Sequence, residues 1–264
     1  MKDRTGWILL ALLACAVAAG LYVWQRAGNE APPQAPAAAP QPLPPPAAKA
    51  APQILFPVPP AGDASSLPSL ELSDSLMRSL LDSLFGRKNF EEFFSPRDIV
   101  RRIVATLDSL PREKVAQRLL PLRTPAGPLL VSGGDADRFI DTGNAARYLP
   151  YVVLAESVDT GKLVAAYVRC YPLLQQAYRE LGYPSGYFND RLVEVIDHLL
   201  VAPEADGPIQ LVRRKVLYEF ADPDLEALSA GQKIMLRIGP ENAARVKAKL
   251  REIRRELTRQ PPNG

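Results

Sequence analysis

The sequence predicts an α-dominant α+β fold: a mostly helical globular domain with a small β-hairpin, carried behind a single N-terminal transmembrane helix and a Pro/Ala-rich linker. Three observations predict it. Residues 7–24 (WILLALLACAVAAGLYVW) carry no charge, residues 31–60 hold a dozen prolines, and beyond residue 66 apolar side chains recur mostly at helical spacing. The organisation that follows is a cytoplasmic N-terminal tail at 1–6, a signal anchor at 7–24, a disordered linker at 25–65, a helical periplasmic domain at 66–259 and a disordered tail at 260–264.

The 18-residue apolar run reaches roughly 27 Å as a helix, close to a hydrocarbon thickness of about 30 Å. Trp7 marks one end and Tyr22 with Trp24 the other, as amphipathic rings do at a membrane interface. Lys2 and Arg4 precede the span, whereas Arg26 is followed by no further basic residue until Lys49. This bias predicts a cytoplasmic N-terminus and a folded domain on the far side of the membrane. Two cleavage readings compete. Leu12-Leu13-Ala14-Cys15 resembles a lipobox that would leave a lipidated Cys15, and Ala16-Val17-Ala18 resembles a signal-peptidase site. The apolar run continues to Trp24, too far for a typical signal peptide, which favours the uncleaved anchor. Ala16 and Gly20 add a small-xxx-small spacing that suits helix pairing.

The prolines of the linker fix φ and remove backbone donors, so an extended, solvated spacer is expected. Thirty residues at about 3.1 Å each could hold the domain up to roughly 90 Å from the bilayer. Pro-Leu-Pro-Pro-Pro at 42–46 could alternatively dock in an aromatic groove.

Composition excludes several functions. The 32 basic and 29 acidic residues leave a net charge of +3, so no global charge argument for nucleic acid follows. Cys170 is the domain's only thiol, which excludes an internal disulfide and favours burial in the core. With His198 as the only histidine, every His-rich zinc site is excluded. The Asp135, Asp137, Asp141 series fails as a calcium loop, because Phe139 and Ile140 stand where an oxygen ligand and a glycine are needed. No metal and no cofactor are expected.

Along the domain, Leu76, Leu80, Leu81 and Leu84 share a helical face, with Ser73 or Asp74 as cap and Gly86 as stop. Ser95-Pro96 reads as the cap and first residue of a second helix ending near Pro111. Residues 129–131 and 138–140 flank a Gly-Gly turn and predict a hairpin. A helix from Asp159 toward Gly182 should kink or restart at Pro172, and another from Phe188 ends before Pro203. Residues 216–220 read as β-like. Finally Gly239-Pro240 opens a helix in which Ala243, Val246, Leu250, Ile253 and Leu257 form a narrow seam.

YPLLQQAYRELGYPSGYFNDRLVEVIDHLL at 171–200, followed by KVLYEFADP, LSAGQK and GPENAARVKAKLRE, resembles the domain of unknown function 3014 family of membrane-anchored proteobacterial proteins. The likeness runs from about Phe90 through the C-terminal helix. It implies a Gram-negative envelope protein with one N-terminal membrane helix and no established activity, and it supplies no catalytic residues.

Candidate chemistry is sparse. A Ser-His-Asp triad would need His198, whose same-face neighbour is Glu194 rather than Asp197; pairing with Glu194 is the plainer role. Asp190, Glu194 and Asp197 make an acidic stripe that either serves general acid/base hydrolysis or lies solvated. Glu156-Ser157 faintly resembles the Glu-Ser of lytic transglycosylases, without that family's companion motifs. The weak catalytic candidates are thus Glu194, His198 and Glu156. Tyr183 and Tyr187 beside Asp190 and Glu194 suit a sugar- or peptide-binding groove. In the last helix Lys247, Arg251, Arg254 and Arg255 could meet an anionic lipid surface, or form a solvated face whose apolar seam docks on the domain or on another copy.

The expected function is a non-enzymatic interaction or accessory module of the envelope, with an envelope protein or an anionic lipid or glycan as partner, no nucleic acid, and a homodimer as a third arrangement. Hydrolysis of cell-wall glycan by carboxylate acid/base residues is the alternative.

Overall fold

The structure, a computed structural model, describes residues 53–60, 67–134, 137–205, 207–214 and 217–259. The predicted anchor with Cys15, Ala16 and Gly20, the proline tract up to residue 52, Asp135 of the hairpin and the 260–264 tail lie outside the described residues. Among those described, no helix is long and apolar enough to cross a membrane.

Helix α1 (Asp74–Phe85) starts after Ser73 and stops at Gly86, whose φ of 85° is open to a residue without Cβ. Helix α2 (Arg87–Phe93) follows at once and buries Phe90 and Phe93. Helix α3 (Ile99–Ser109) corrects the expectation of a cap at Ser95. Ser95 is instead held in a short bridge, donating to the Pro121 carbonyl at 2.8 Å. The cap comes from α1, because Asp74 Oδ2 and Oδ1 accept from the amides of Asp98 (2.8 Å) and Ile99 (2.9 Å). Two orphan donors of α3 are satisfied across space, a relation that local sequence spacing does not show.

Helix α4 (Gly143–Ser157) leads into α5 (Thr160–Glu180), capped by Asp159, whose side chain accepts from the Lys162 amide at 2.8 Å. The helix does not restart at Pro172, and α5 is one 21-residue helix with the proline inside it. Proline removes a single donor from the ladder, while buried Cys170, Leu173, Leu174 and Ala177 fasten the chain on both sides of it. Helix α6 (Phe188–Leu200) buries Phe188, Val193, Val195, Ile196 and Leu199. The main core joins α1, α2, α3 and α5 to the start of α6, with Phe90, Ile99, Val104, Leu174, Tyr178 and Phe188 at its centre.

The sheet is antiparallel throughout, in the order β1 (Val131–Gly133), β2 (Arg138–Ile140), β3 (Gln210–Arg214), β4 (Leu217–Phe220). The hairpin and the second β-like piece are present as the sequence predicts. Gly133 has φ of 91°, and a Cβ there would lie 1.9 Å from the Asp137 carbonyl oxygen, so the turn requires glycine. Strand β3 escapes sequence reading because only Leu211 of its five residues is buried; its partners Arg138 and Phe220 define it. Leu211 and Phe220 meet Leu236 in a satellite core.

Helices α7 (Pro223–Glu226) and α8 (Ala230–Arg237) precede α9 (Pro240–Thr258), opened by Gly239-Pro240 as expected. Helix α9 packs on α4, α5, α6 and α8. Its seam therefore has partners within the chain, beginning with buried Ala243 and half-buried Val246 against Ala202, Met235 and Ile238.

Candidate peptide-docking site

The Gly182-Tyr-Pro-Ser-Gly186 turn delivers Tyr187 to the N-cap position of α6 and places Asn189 and Asp190 in its first turn. Residues 55–58, counted with the linker in the sequence, lie across this turn. Asp190 accepts from two consecutive amides, Leu55 to Oδ2 at 3.0 Å and Phe56 to Oδ1 at 2.8 Å. Asn189 Nδ2 donates to the Phe56 carbonyl at 2.8 Å, and the Val58 amide donates to the Tyr187 hydroxyl at 2.7 Å. Pro57 has no amide to satisfy. Phe56 and Val58 are half-buried while Leu55 and Pro57 are exposed, and the chain bends at Leu55 and Phe56, which brings their consecutive amides onto one carboxylate.

The groups that hold this segment are themselves held. Asn189 is fully buried, and Tyr167 donates to its Oδ1 at 2.9 Å, which turns the amide nitrogen toward the Phe56 carbonyl. Burial, then the neighbouring Tyr171, pushes the Tyr167 phenol far above its usual range, so it remains a donor. Tyr171 stands 5.5 Å from the Tyr187 ring and donates to Gln175 Oε1 at 2.9 Å. Gln175 closes the frame by accepting from the Phe188 amide (2.9 Å) and donating to the Gly186 carbonyl (2.8 Å).

Magnitudes make the docking marginal. Fixing the backbone of residues 55–58 costs about 4–8 kcal/mol, at roughly 1–2 kcal/mol per residue. Two hydrogen bonds to a carboxylate and two between neutral groups return about 4–9 kcal/mol. The segment is seated, yet open to exchange.

Tyr183 belongs to a different cluster. Its hydroxyl donates to Asp108 Oδ2 at 3.2 Å and its ring stacks on Tyr178 with centroids 4.5 Å apart. Asp108, only 3% exposed, also receives Arg191 Nε at 3.1 Å and the Arg112 guanidinium. Arg191 continues to Glu194 at 2.9 Å. This network ties the end of α3 to α6, so a buried carboxylate is neutralised by two arginines rather than left for acid/base work.

The weak catalytic candidates likewise have structural partners. His198 Nε2 lies 2.7 Å from Ser229 Oγ, in place of the expected pairing with Glu194. Ser229 is buried and caps α8, accepting from the Gln232 amide at 3.2 Å in a reciprocal capping box. Glu156 is gripped by Arg245, whose hydrogen bond holds the carboxyl below the usual range and makes it a poor general acid. Asp197 takes both Arg254 Nε (2.5 Å) and a terminal nitrogen (2.9 Å). The acidic stripe of Asp190, Glu194 and Asp197 is therefore divided among three separate tasks.

Of the basic candidates, Arg251 and Arg255 are exposed. Lys247 is 5% exposed and donates to the Ala202 carbonyl (2.8 Å) and Glu204 (3.0 Å), satisfying the loop just past the end of α6. With Arg254 on Asp197, half of the predicted basic patch turns into the fold. Among the described residues no group of three or more His, Cys, Asp or Glu side chains is arranged to hold a metal ion.

The structure thus unites Tyr187 and Asp190 in one site and separates them from Tyr183, Glu194 and the C-terminal basic residues. Sequence reasoning missed Asn189, Tyr167 and Gln175, and the segment they serve. One signal was legible: Ile54, Leu55, Phe56 and Val58 interrupt a tract otherwise built of Pro and Ala.

A family model described as Protein of unknown function (DUF3014) matches residues 99–254, a shorter stretch than the likeness read from Phe90. No curated protein and no solved structure matches the chain.

Proposed function

The chain belongs to the domain of unknown function 3014 family, and from that premise we propose a non-enzymatic interaction or accessory module, displayed in the periplasm on an inner-membrane anchor, that holds protein segments by their main chain. The observation that carries this reading is the set of groups at the start of α6. Asp190, Asn189 and Tyr187 engage main-chain atoms and are fixed by a buried frame of Tyr167, Tyr171 and Gln175. Binding of this kind needs no reactive group, and Glu156 and His198 are engaged elsewhere. The charge-free span at 7–24 and its basic flank support the envelope location.

A photo-crosslinking residue at Ser185, on the exposed turn before Tyr187, is expected to give discrete adducts with an envelope protein in intact cells. The same residue at Ser79, exposed on α1, should give none. Glycan turnover by the purified full chain, lost in Glu194→Ala or Glu156→Ala, would instead establish the hydrolase alternative.

A further inference from the structure

The groove at the start of α6 is occupied by the chain's own residues 55–58, and this occupant shows what the groove reads. We infer that the groove is a recognition site for segments of the form apolar-Pro-apolar entered through a bend, and that the chain's Phe56-Pro57-Val58 is a resident inhibitor which a partner protein's matching segment displaces. The inference rests on the interaction reading above and specifies its ligand and its regulation.

Three observations combine. The contacts are to main-chain atoms in a fixed pattern: amide, amide and carbonyl, no donor, amide, at positions 55, 56, 57 and 58. A proline fits at the third position without leaving a buried polar group unpaired, and a proline at the second would forfeit an amide to Asp190. The side chains at the second and fourth positions are half-buried, so apolar residues are favoured there. Meanwhile Ile54 and Leu55 remain 51% and 64% exposed, so the resident segment is held mainly by its backbone and by Phe56 and Val58. An occupant that adds contacts at the first position and at the residue before it would bind better. The covalent tether compensates the resident segment for its weak hold, because an attached ligand acts at high effective concentration.

The test uses the full chain in mild detergent and a fluorescein-labelled peptide PQILFPVPP, followed by anisotropy. Wild type is expected to bind weakly. The chain carrying Leu55→Pro, Phe56→Pro and Val58→Pro, which strips the resident segment of all three donating amides, should bind about tenfold or more tighter, since the competitor has lost its hold. Adding Asp190→Asn or Asn189→Ala to that chain should weaken binding about tenfold. Two different groove substitutions, each checked by circular dichroism, separate loss of a contact from loss of fold. A peptide with Phe and Pro exchanged should bind about tenfold less well. No binding by the proline-substituted chain, affinity equal to wild type, or indifference to both groove substitutions would overturn the inference. Any of those results would leave the crosslinking test at Ser185 standing on its own.

Discussion

At the scale of single residues, the polar side chains of this domain act chiefly as satisfiers of orphan backbone groups. Asp74 accepts two amides at the start of α3, so Asp74→Ala should cost about 1–2 kcal/mol in urea unfolding, as loss of a helix cap does. Lys247→Met keeps the apolar stem but strips the donor from the Ala202 carbonyl; a loss of about 1–3 kcal/mol is expected. The exposed pair Arg251→Glu and Arg255→Glu should stay within about 0.5 kcal/mol of wild type. A calorimetric melt of each variant distinguishes the two groups. Cys170 gives a pH signature. Burial pushes its thiol from 9.0 up to about 11, so the folded chain keeps a proton that the unfolded chain has released. This contribution to stability is fully present below about pH 9 and is lost as pH rises toward 11. The midpoint advantage of wild type over Cys170→Ala in urea should therefore shrink between about pH 8 and about pH 10.5; a constant gap would refute the assignment. Asn189 shows why such roles are hard to read in advance. An asparagine in the first turn of a helix looks solvent-facing, and only the approach of Tyr167 from α5 makes it a buried, oriented donor.

At the scale of elements, apolar spacing located α1, α5, α6, α9 and the hairpin, because each carries its burial pattern in its own residues. What escaped depends on neighbours. The start of α3 moved because its cap lies on α1, and β3 was invisible because its pairing partners define it. A close contact between elements yields one further prediction. The Gly231 amide donates to the Leu110 carbonyl at 2.9 Å, and a Cβ at Gly231 would lie 2.6 Å from Leu199 Cδ2 and 3.1 Å from that carbonyl oxygen. Gly231→Ala gains helix propensity, worth about 1 kcal/mol, but must push α8 off α6 and the end of α3. Overpacking of about 1–3 kcal/mol wins, so the variant should be less stable by equilibrium denaturation. Equal or greater stability would show that the junction relaxes.

At the scale of the whole domain, α9 joins four other helices, packing on α4, α5, α6 and α8. Removing residues 241–264 should abolish the cooperative thermal transition, whereas an autonomous α9 would leave it intact. The sequence reading placed Tyr187 and Asp190 in one candidate groove but could not see that Tyr183 faces Asp108, because three consecutive turn residues decide that split. The seated segment also has a polarity. Its amide-rich end lies at Asp190 and its far end at Tyr187, so it runs from the later to the earlier residue of the α6 turn. Carboxylate, carboxamide and phenol are ordered and unlike, and a segment entering in the opposite sense would present carbonyl to carboxylate. The groove is therefore a one-way track: whatever chain enters beside Asp190 must leave past Tyr187, and the direction of the guest is fixed before its sequence is read.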